Sequence, residues 1–239
     1  MKKENQTVLI IGGNSGMGLA AAQKAAGEGY RVIIAGRSEE KLALAEKSIS
    51  AKIHSFTVDT TNTTSIQQLF EHVGKVHHLV ISASEVLFGN IQNSSLNDVK
   101  KSFDSKFFGP FRVIQSGLQY FEPNASITLF SGTSSTKPEK GTEILAAMNG
   151  AVESFARALA VSLSPIRVNC IAPGIIDTPP VLEGLKEESI KNLFDEFTRN
   201  LPIQRMGHAE EVAEAVLYLI NNQYVTGTTL YVDGGHVIS

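Results

Sequence analysis

Hydrophobic and polar positions along the chain switch repeatedly between a strand-like and a helix-like period. Thr7–Ile11 is an unbroken apolar run, and Gly16–Glu28 after it is alanine-rich with helical spacing. Arg31–Ala35 reads as a second strand and Ser38–Lys47 as a second helix, with Ser38 in position to cap it. Lys52–Val58 and Thr63–His72 repeat the pair, with Thr63 read as the cap. Leu79–Ala83 is the fourth strand, and Leu96–Tyr120 holds one long helix with room for an interruption. Ser126–Phe130, Thr142–Leu163, Arg167–Ile171, Glu210–Ile220 and Thr229–Val232 continue the alternation to the end. Short runs that are apolar on both faces must be covered on both faces. Alternating with helices, they predict an α/β, doubly wound, parallel seven-stranded sheet of the Rossmann type, in one domain over residues 1–239.

One segment breaks the rhythm. Between Pro179-Pro180 and Pro202, apolar residues (Leu182, Leu185, Leu193, Phe194, Phe197) are scattered among acids and lysines. In open α/β sheets, ligands bind beyond the carboxyl ends of the strands. Residues 178–202 follow the sixth strand and are therefore either a lid over that crevice or an ordinary packing helix pair.

Composition narrows the partners. The chain has 239 residues, 42% of them hydrophobic, and a net charge of −3 with both signs interspersed, so a basic footprint for nucleic acid is not expected. No run of about 18 consecutive apolar residues is seen, so no membrane span is expected. The single cysteine, Cys170, lies among apolar residues and reads as a small core side chain, in keeping with a reducing cytoplasm. The six histidines are scattered, read as surface or loop residues, and no metal site is expected from them.

Chemistry enters directly after the first strand, at Gly12-Gly13-Asn14-Ser15-Gly16-Met17-Gly18. Glycines at 12, 16 and 18 let the chain turn sharply and bring backbone N–H groups toward a diphosphate, with the dipole of the following helix favouring the negative charge. Strand, turn and helix are the context this motif requires. At the end of the second strand a 2′-hydroxyl binder would place an acid; here the residues are Ala35-Gly36-Arg37-Ser38. An arginine after a glycine gives room and charge for a 2′-phosphate, which favours NADP(H) over NAD(H).

Together these segments resemble the short-chain dehydrogenase/reductase family over essentially the whole chain. The resemblance implies that Asp59 contacts the adenine, that Ala83 lies in the cofactor-binding turn after the fourth strand, and that Arg167–Thr178 receives the nicotinamide amide. In that match Pro173-Gly174 makes the turn, while the Ile176 backbone and Thr178 bind the carboxamide. Thr226–Gly235 matches the family's last strand and following turn. The resemblance further implies a homodimer or homotetramer through the long fourth and fifth helices and a small-molecule substrate.

The family's catalytic residues are not found where the resemblance places them. Its tyrosine falls on Leu145, its lysine on Asn149, its serine on Gly132 and its asparagine on Lys106. None of the five tyrosines has a lysine four residues later, so no other register restores the pair. Three readings stay open. In the first, an oxidoreductase uses Lys106 as proton donor, desolvation having lowered its pKa, while Asn149 binds the ribose and Ser131 or Thr133 orients a carbonyl. In the second, the chain binds NADP(H) without turning anything over, as a sensor or partner-binding module. In the third, it is a structural subunit. Leu145, Phe88 and Phe107 are expected to line a largely apolar pocket.

Overall fold

The computed structural model describes residues 2–51, 53–84, 90–178 and 198–239. Seven parallel strands form one sheet: β1 (Thr7–Ile11), β2 (Arg31–Gly36), β3 (His54–Thr57), β4 (Val76–Ile81), β5 (Phe121–Phe130), β6 (Arg167–Pro173) and β9 (Thr229–Val232). Their spatial order is β3-β2-β1-β4-β5-β6-β9. The chain winds outward from β1 in one direction and returns to lay β4 on its other side, so the topological switch point lies between β1 and β4. A separate two-stranded pair, β7 (Ile176–Asp177) with β8 (Gly207–His208), joins the two chain stretches that flank residues 179–197.

The strand alternation sends successive side chains to opposite faces, and each face has its own cover. Val8, Ile10, Val32 and Ile34 pack under α1 (Gly16–Gly27), α2 (Glu39–Ser48) and α7 (Ala209–Asn221). Leu9, Ile11 and Ile33 pack under α3 (Thr63–Val73), α5 (Gly109–Gly117) and α6 (Glu143–Ser162). Cys170 is completely buried in β6, as its apolar neighbours predicted.

Several local features differ from the expectation. The cap of α3 is Asn62, not Thr63: its Oδ1 accepts from the amides of Thr64 at 2.9 Å and Ser65 at 3.2 Å. Asparagine outranks threonine at this position, and taking the cap one residue earlier leaves Thr63 inside the first turn. The third strand is confined to His54–Thr57. Leu96–Tyr120 is divided into α4 (Leu96–Phe103), a π-helical turn over Asp104–Phe108, α5, and a short 3-10 turn at Leu118–Tyr120. Pro110 accounts for the π turn, because it has no N–H and its ring crowds the carbonyl four residues back, which belongs to Lys106. Helix α6 is long and apolar enough to span a membrane by length and mean hydropathy (20 residues, 1.3). Its inner face nevertheless packs on the sheet, carrying buried Asn149 and Glu153 beside Met148, Val152 and Ala156. His78 and His236 are buried, against the expectation of surface histidines. His78 is held between Ser126 Oγ (2.8 Å) and Gln6 Oε1 (3.0 Å), and burial pushes its pKa down to about 3.

Phe70 joins α3 to α5. It is fully buried, stacked on Tyr120 with centroids 5.4 Å apart and edge-on to Phe121 at 6.2 Å. A methyl group on Gly117 would lie 2.6 Å from its ring, so α5 approaches this closely only through a glycine. Phe70→Ala is expected to lower unfolding free energy by about 3–5 kcal/mol, read from urea midpoints at constant m.

Candidate cofactor and active site

The β1–α1 turn is built by close backbone approach. Gly12 has φ +89°, and a methyl group there would sit 2.6 Å from the Ala83 amide nitrogen, in the turn after β4. Both Ser82 N and Ala83 N donate to the Ile11 carbonyl, at 3.0 and 3.1 Å, and tie the two strand ends together. A side chain on Gly18 would overlap the Gly12 carbonyl oxygen. Asn14 reaches sideways to β2, where a methyl group on Gly36 would lie 2.6 Å from its Oδ1. Gly16, at φ +51°, faces Thr178 of the distant post-β6 segment at 3.5 Å from where a Cβ would stand. Gly12, Asn14, Gly16, Gly18, Ala83 and Thr178 are thus one cluster at the switch point, and Ser15 and Met17 complete the turn between them.

This cluster has the properties of an anion cradle. Ser15 precedes α1 but makes no cap bond to its first amides, and that turn carries no acidic residue to repel a diphosphate. Pro173 ends β6, and Gly174 packs so tightly that a methyl group there would lie 2.8 Å from Asp233 Cα. Ile176 and Thr178 are buried. Arg37 follows Gly36 and is exposed at the edge of the crevice, electrostatically coupled to Asp59. Two of the expected cofactor residues already have structural duties. Ser38 Oγ caps α2 by accepting from Lys41 N at 3.2 Å, and Asp59 Oδ1 accepts from Thr61 N and Oγ1 at 2.9 and 2.8 Å. Those bonds hold the Asp59 carboxyl below its ordinary pKa.

At the carboxyl ends of β5 and β6 lies a second, polar cluster. The Lys106 side chain leaves the π turn and donates from Nζ to the Ser131 carbonyl at 3.2 Å, fully enclosed. Desolvation lowers its pKa from 10.5 to about 8, opposed by the nearby Cys170 sulfur. Asn149, also buried, donates from Nδ2 to Ser134 Oγ at 2.9 Å, while its Oδ1 finds no partner among the described residues. Gly132 is what admits it: a methyl group there would lie 2.8 Å from Asn149 Nδ2. One helical turn on, Glu153 accepts from Ser135 Oγ, so the loop after β5 is held to α6 at two points. Ser131 Oγ is directed at the Ile171 carbonyl at 3.4 Å and is turned into the sheet. Leu145 is half-buried on α6, and Phe107, also half-buried, packs against Phe108 and Phe155 in the helix layer. Phe88 and most of the 178–202 segment, including Leu182, Leu185, Leu193, Phe194 and Phe197, lie outside the described residues.

Sequence reasoning missed one element of this region, the contact of His236 with Thr133 and Glu139. No local signal marks it, since the residues are about a hundred positions apart. Among the described residues, no group of three or more His, Cys, Asp or Glu side chains could hold a metal. A buried, unpartnered carbonyl oxygen on Asn149 and a glycine cradle without side chains both fit a bound dinucleotide.

A doubly wound parallel sheet with an uncapped, glycine-lined helix start at its switch point defines a dinucleotide-binding α/β protein. Comparison with known proteins makes this more specific. The family model described as enoyl-(acyl carrier protein) reductase matches residues 11–236. The short-chain dehydrogenase/reductase malC of Malbranchea aurantiaca is 30% identical over 98% of this chain and 95% of its own. The human 3-oxoacyl-[acyl-carrier-protein] reductase is 30% identical over 97% and 98%. A small-chain dehydrogenase solved in complex with NADPH superposes with a TM-score of 0.85 at 30% identity, covering 98% of this chain and 99% of that one. The chain belongs to the short-chain dehydrogenase/reductase family of oxidoreductases.

The depressed pKa of Lys106 has a consequence for stability. Between about 8 and 10.5 the unfolded chain binds more protons at this lysine than the folded one, so its contribution to stability rises with pH across that window. Below about 8 the buried charge imposes its full cost, on the order of 3 kcal/mol. Urea midpoints of the parent and Lys106→Met are therefore expected to move relative to each other, in favour of the parent, as pH is raised from 8 to 10.5.

Proposed function

We propose that this chain is an NADP(H)-dependent oxidoreductase acting on a small carbonyl or alcohol substrate, with Lys106 in place of the family's tyrosine as proton donor. The observation that carries this reading is the buried Lys106 ammonium beside the carboxyl end of β5, with a pKa brought to about 8. A buried charge that costs stability is retained where chemistry uses it. NADP(H) is supported by Arg37 after Gly36, in place of the acid that would bind a 2′-hydroxyl, and by the NADPH held by the superposing dehydrogenase.

When bound, the nicotinamide supplies or accepts the hydride. The protein's own part is to hold and orient. The Gly12–Gly18 turn and the first amides of α1 hold the diphosphate, and Arg37, with Ser38 and Asp59 beside it, takes the adenosine end. Asn149 Oδ1 accepts from a ribose hydroxyl, which gives that buried oxygen its missing partner. Pro173–Thr178 receives the carboxamide. Lys106 compensates negative charge building on the substrate oxygen and releases a proton toward it. The half-buried Leu145 makes this region apolar, which strengthens each of these electrostatic contributions.

A second reading is favoured by the residues at the family's catalytic positions. With Gly132, Leu145 and Asn149 there, the chain could bind NADP(H) as a sensor or partner-binding module. The two separate on NADPH oxidation across a panel of carbonyl, imine and enone compounds. Turnover that falls by about 10²–10⁴ in Lys106→Met is expected. Because reduction needs the charged lysine, parent activity should decline as pH rises through about 8, a limb missing from the variant. Tight cofactor binding with no turnover anywhere in the panel would select the second reading. For the cofactor itself, Arg37→Ala should weaken NADPH at least tenfold while leaving NADH nearly unchanged, as measured by calorimetry; equal losses would remove the 2′-phosphate assignment.

Residues 178–202 are proposed as a lid, because Thr178 lies against Gly16 at one end of the segment and Leu201 is buried at the other. Exposed Phe108, Phe111 and Leu118 near the α5 surface support association into a homodimer or homotetramer. The buried thiol of Cys170 is compatible with a cytoplasmic location.

A further inference from the structure

The turn that presents Lys106 is wider than the helices on either side, and an ion pair spans it. Asp104 opens the π turn, and Arg112 lies on α5, eight residues later. A π turn takes up one residue more than an α turn, so two turns of this helix hold about eight residues instead of about seven. The extra residue puts Asp104 and Arg112 on one line of the helix surface, where Arg112 Nη2 donates to Asp104 Oδ1. In α-helical register the two would be rotated apart by about 100°, the arc of one residue, and Lys106 would be carried off the Ser131 carbonyl. The ion pair therefore locks the register on which the Lys106 contact depends.

The other arm of the Arg112 guanidinium meets a different loop. Its Nη1 donates to the Thr60 carbonyl at 3.3 Å. Thr60 also touches the far end of the turn. A methyl group on Gly109 would stand 3.0 Å from its Oγ1, and Gly109 N closes the π turn by donating to the Asp104 carbonyl. Thr60 belongs to the loop after β3, which is bonded within itself. Asp59 holds Thr61 through two bonds, its own amide donates to Ser65 Oγ at 3.1 Å, and Asn62 N donates to the Asp59 carbonyl at 3.0 Å. Just before it, Val58 N donates to the Gly36 carbonyl at 2.9 Å, which ties the loop to the residue preceding Arg37. A continuous path runs from the adenosine end of the proposed cofactor site, through Thr60, Arg112 and Asp104, to the turn from which Lys106 projects.

We infer that Arg112 is a positioning residue, coupling occupancy of the adenosine end of the cofactor site to the backbone register that sets Lys106 at the carboxyl end of β5. With a nucleotide on Asp59 and Arg37, Thr60 is restrained. Its carbonyl then holds the guanidinium over Asp104, and the ion pair keeps the turn wide. Coupling of this kind needs an element with two discrete arrangements, and the π or α register of a single turn supplies one. Arg112 touches neither the substrate nor the reacting atoms in this role.

This role rests on the reading of Lys106 as proton donor, and backbone exchange and turnover test the two separately. Hydrogen–deuterium exchange is followed in cofactor-free protein with and without saturating adenosine 2′,5′-bisphosphate, the adenosine end alone. In the parent, the fragment is expected to slow exchange at residues 59–62 and, by about threefold or more, at residues 104–108. In Arg112→Met, which keeps much of the apolar stem, the slowing at 59–62 should remain and that at 104–108 should vanish. Asp104→Ala should repeat the loss from the other partner, while Asp104→Asn, which keeps an oxygen for the guanidinium, should retain the response. No slowing at 104–108 in the parent, or slowing that survives in Arg112→Met or Asp104→Ala, overturns the coupling regardless of activity. In the loaded enzyme, kcat for carbonyl reduction is expected to fall about tenfold or more in Arg112→Met, with KM for NADPH changed by less than about threefold. Parent kcat retained in Arg112→Met overturns the positioning role alone. No turnover by the parent protein overturns the hydride-transfer reading and this role with it, while the exchange result decides the coupling by itself.

Discussion

The close approach of two strand ends, β1 and β4, is the constraint on which the rest of this molecule depends. Where the winding reverses, the Ile11 carbonyl accepts from both Ser82 and Ala83, and Gly12 lies where any side chain would meet the Ala83 backbone. Gly18 must in turn fit beneath the Gly12 carbonyl for α1 to start at that point. Three backbones therefore converge with no side chains between them. The amides at the start of α1 are left facing the crevice, which is how a purely steric fit becomes an anion site.

The second constraint is electrostatic. Gly132, just after β5, faces Asn149 on α6, and the missing side chain at 132 is what makes space for the amide. Lys106, on the facing π turn, brings a charge into the same enclosed region from the opposite helix. Two different helical segments thus bring one cation and one amide to the carboxyl end of β5. Enclosure lowers the lysine's pKa into the range where it can give up a proton near neutrality. Pro110 contributes indirectly, because the wider turn it imposes is the one from which the Lys106 side chain departs.

Most of the architecture was legible in the chain's pattern. Strands apolar on both faces require helices on both faces, so the sheet, its seven strands and the position of the phosphate turn follow from periodicity and glycine spacing. Local capping was less secure: Asn62 and Thr63 are both competent caps, and only the path of the chain into α3 chooses between them. The burial of His78 could not be read either, since it depends on Ser126 and Gln6 arriving from separate strands and turns.

For the site, the sequence by itself determined the inventory: the glycine turn, Arg37, the Pro173–Thr178 segment, and the absence of a tyrosine–lysine pair. Those properties depend on neighbours along the chain, where spacing and chemistry are visible directly. Only the tertiary structure decided that Lys106 is enclosed, that Ser131 is turned into the sheet while Thr133 meets His236, that Phe107 belongs to the helix layer, and that the Asn149 oxygen lacks a partner among the described residues. Desolvation and hydrogen-bond partnership are set by which distant segments close over a side chain, and sheet order brings residues about a hundred positions apart into contact without leaving a trace in local pattern.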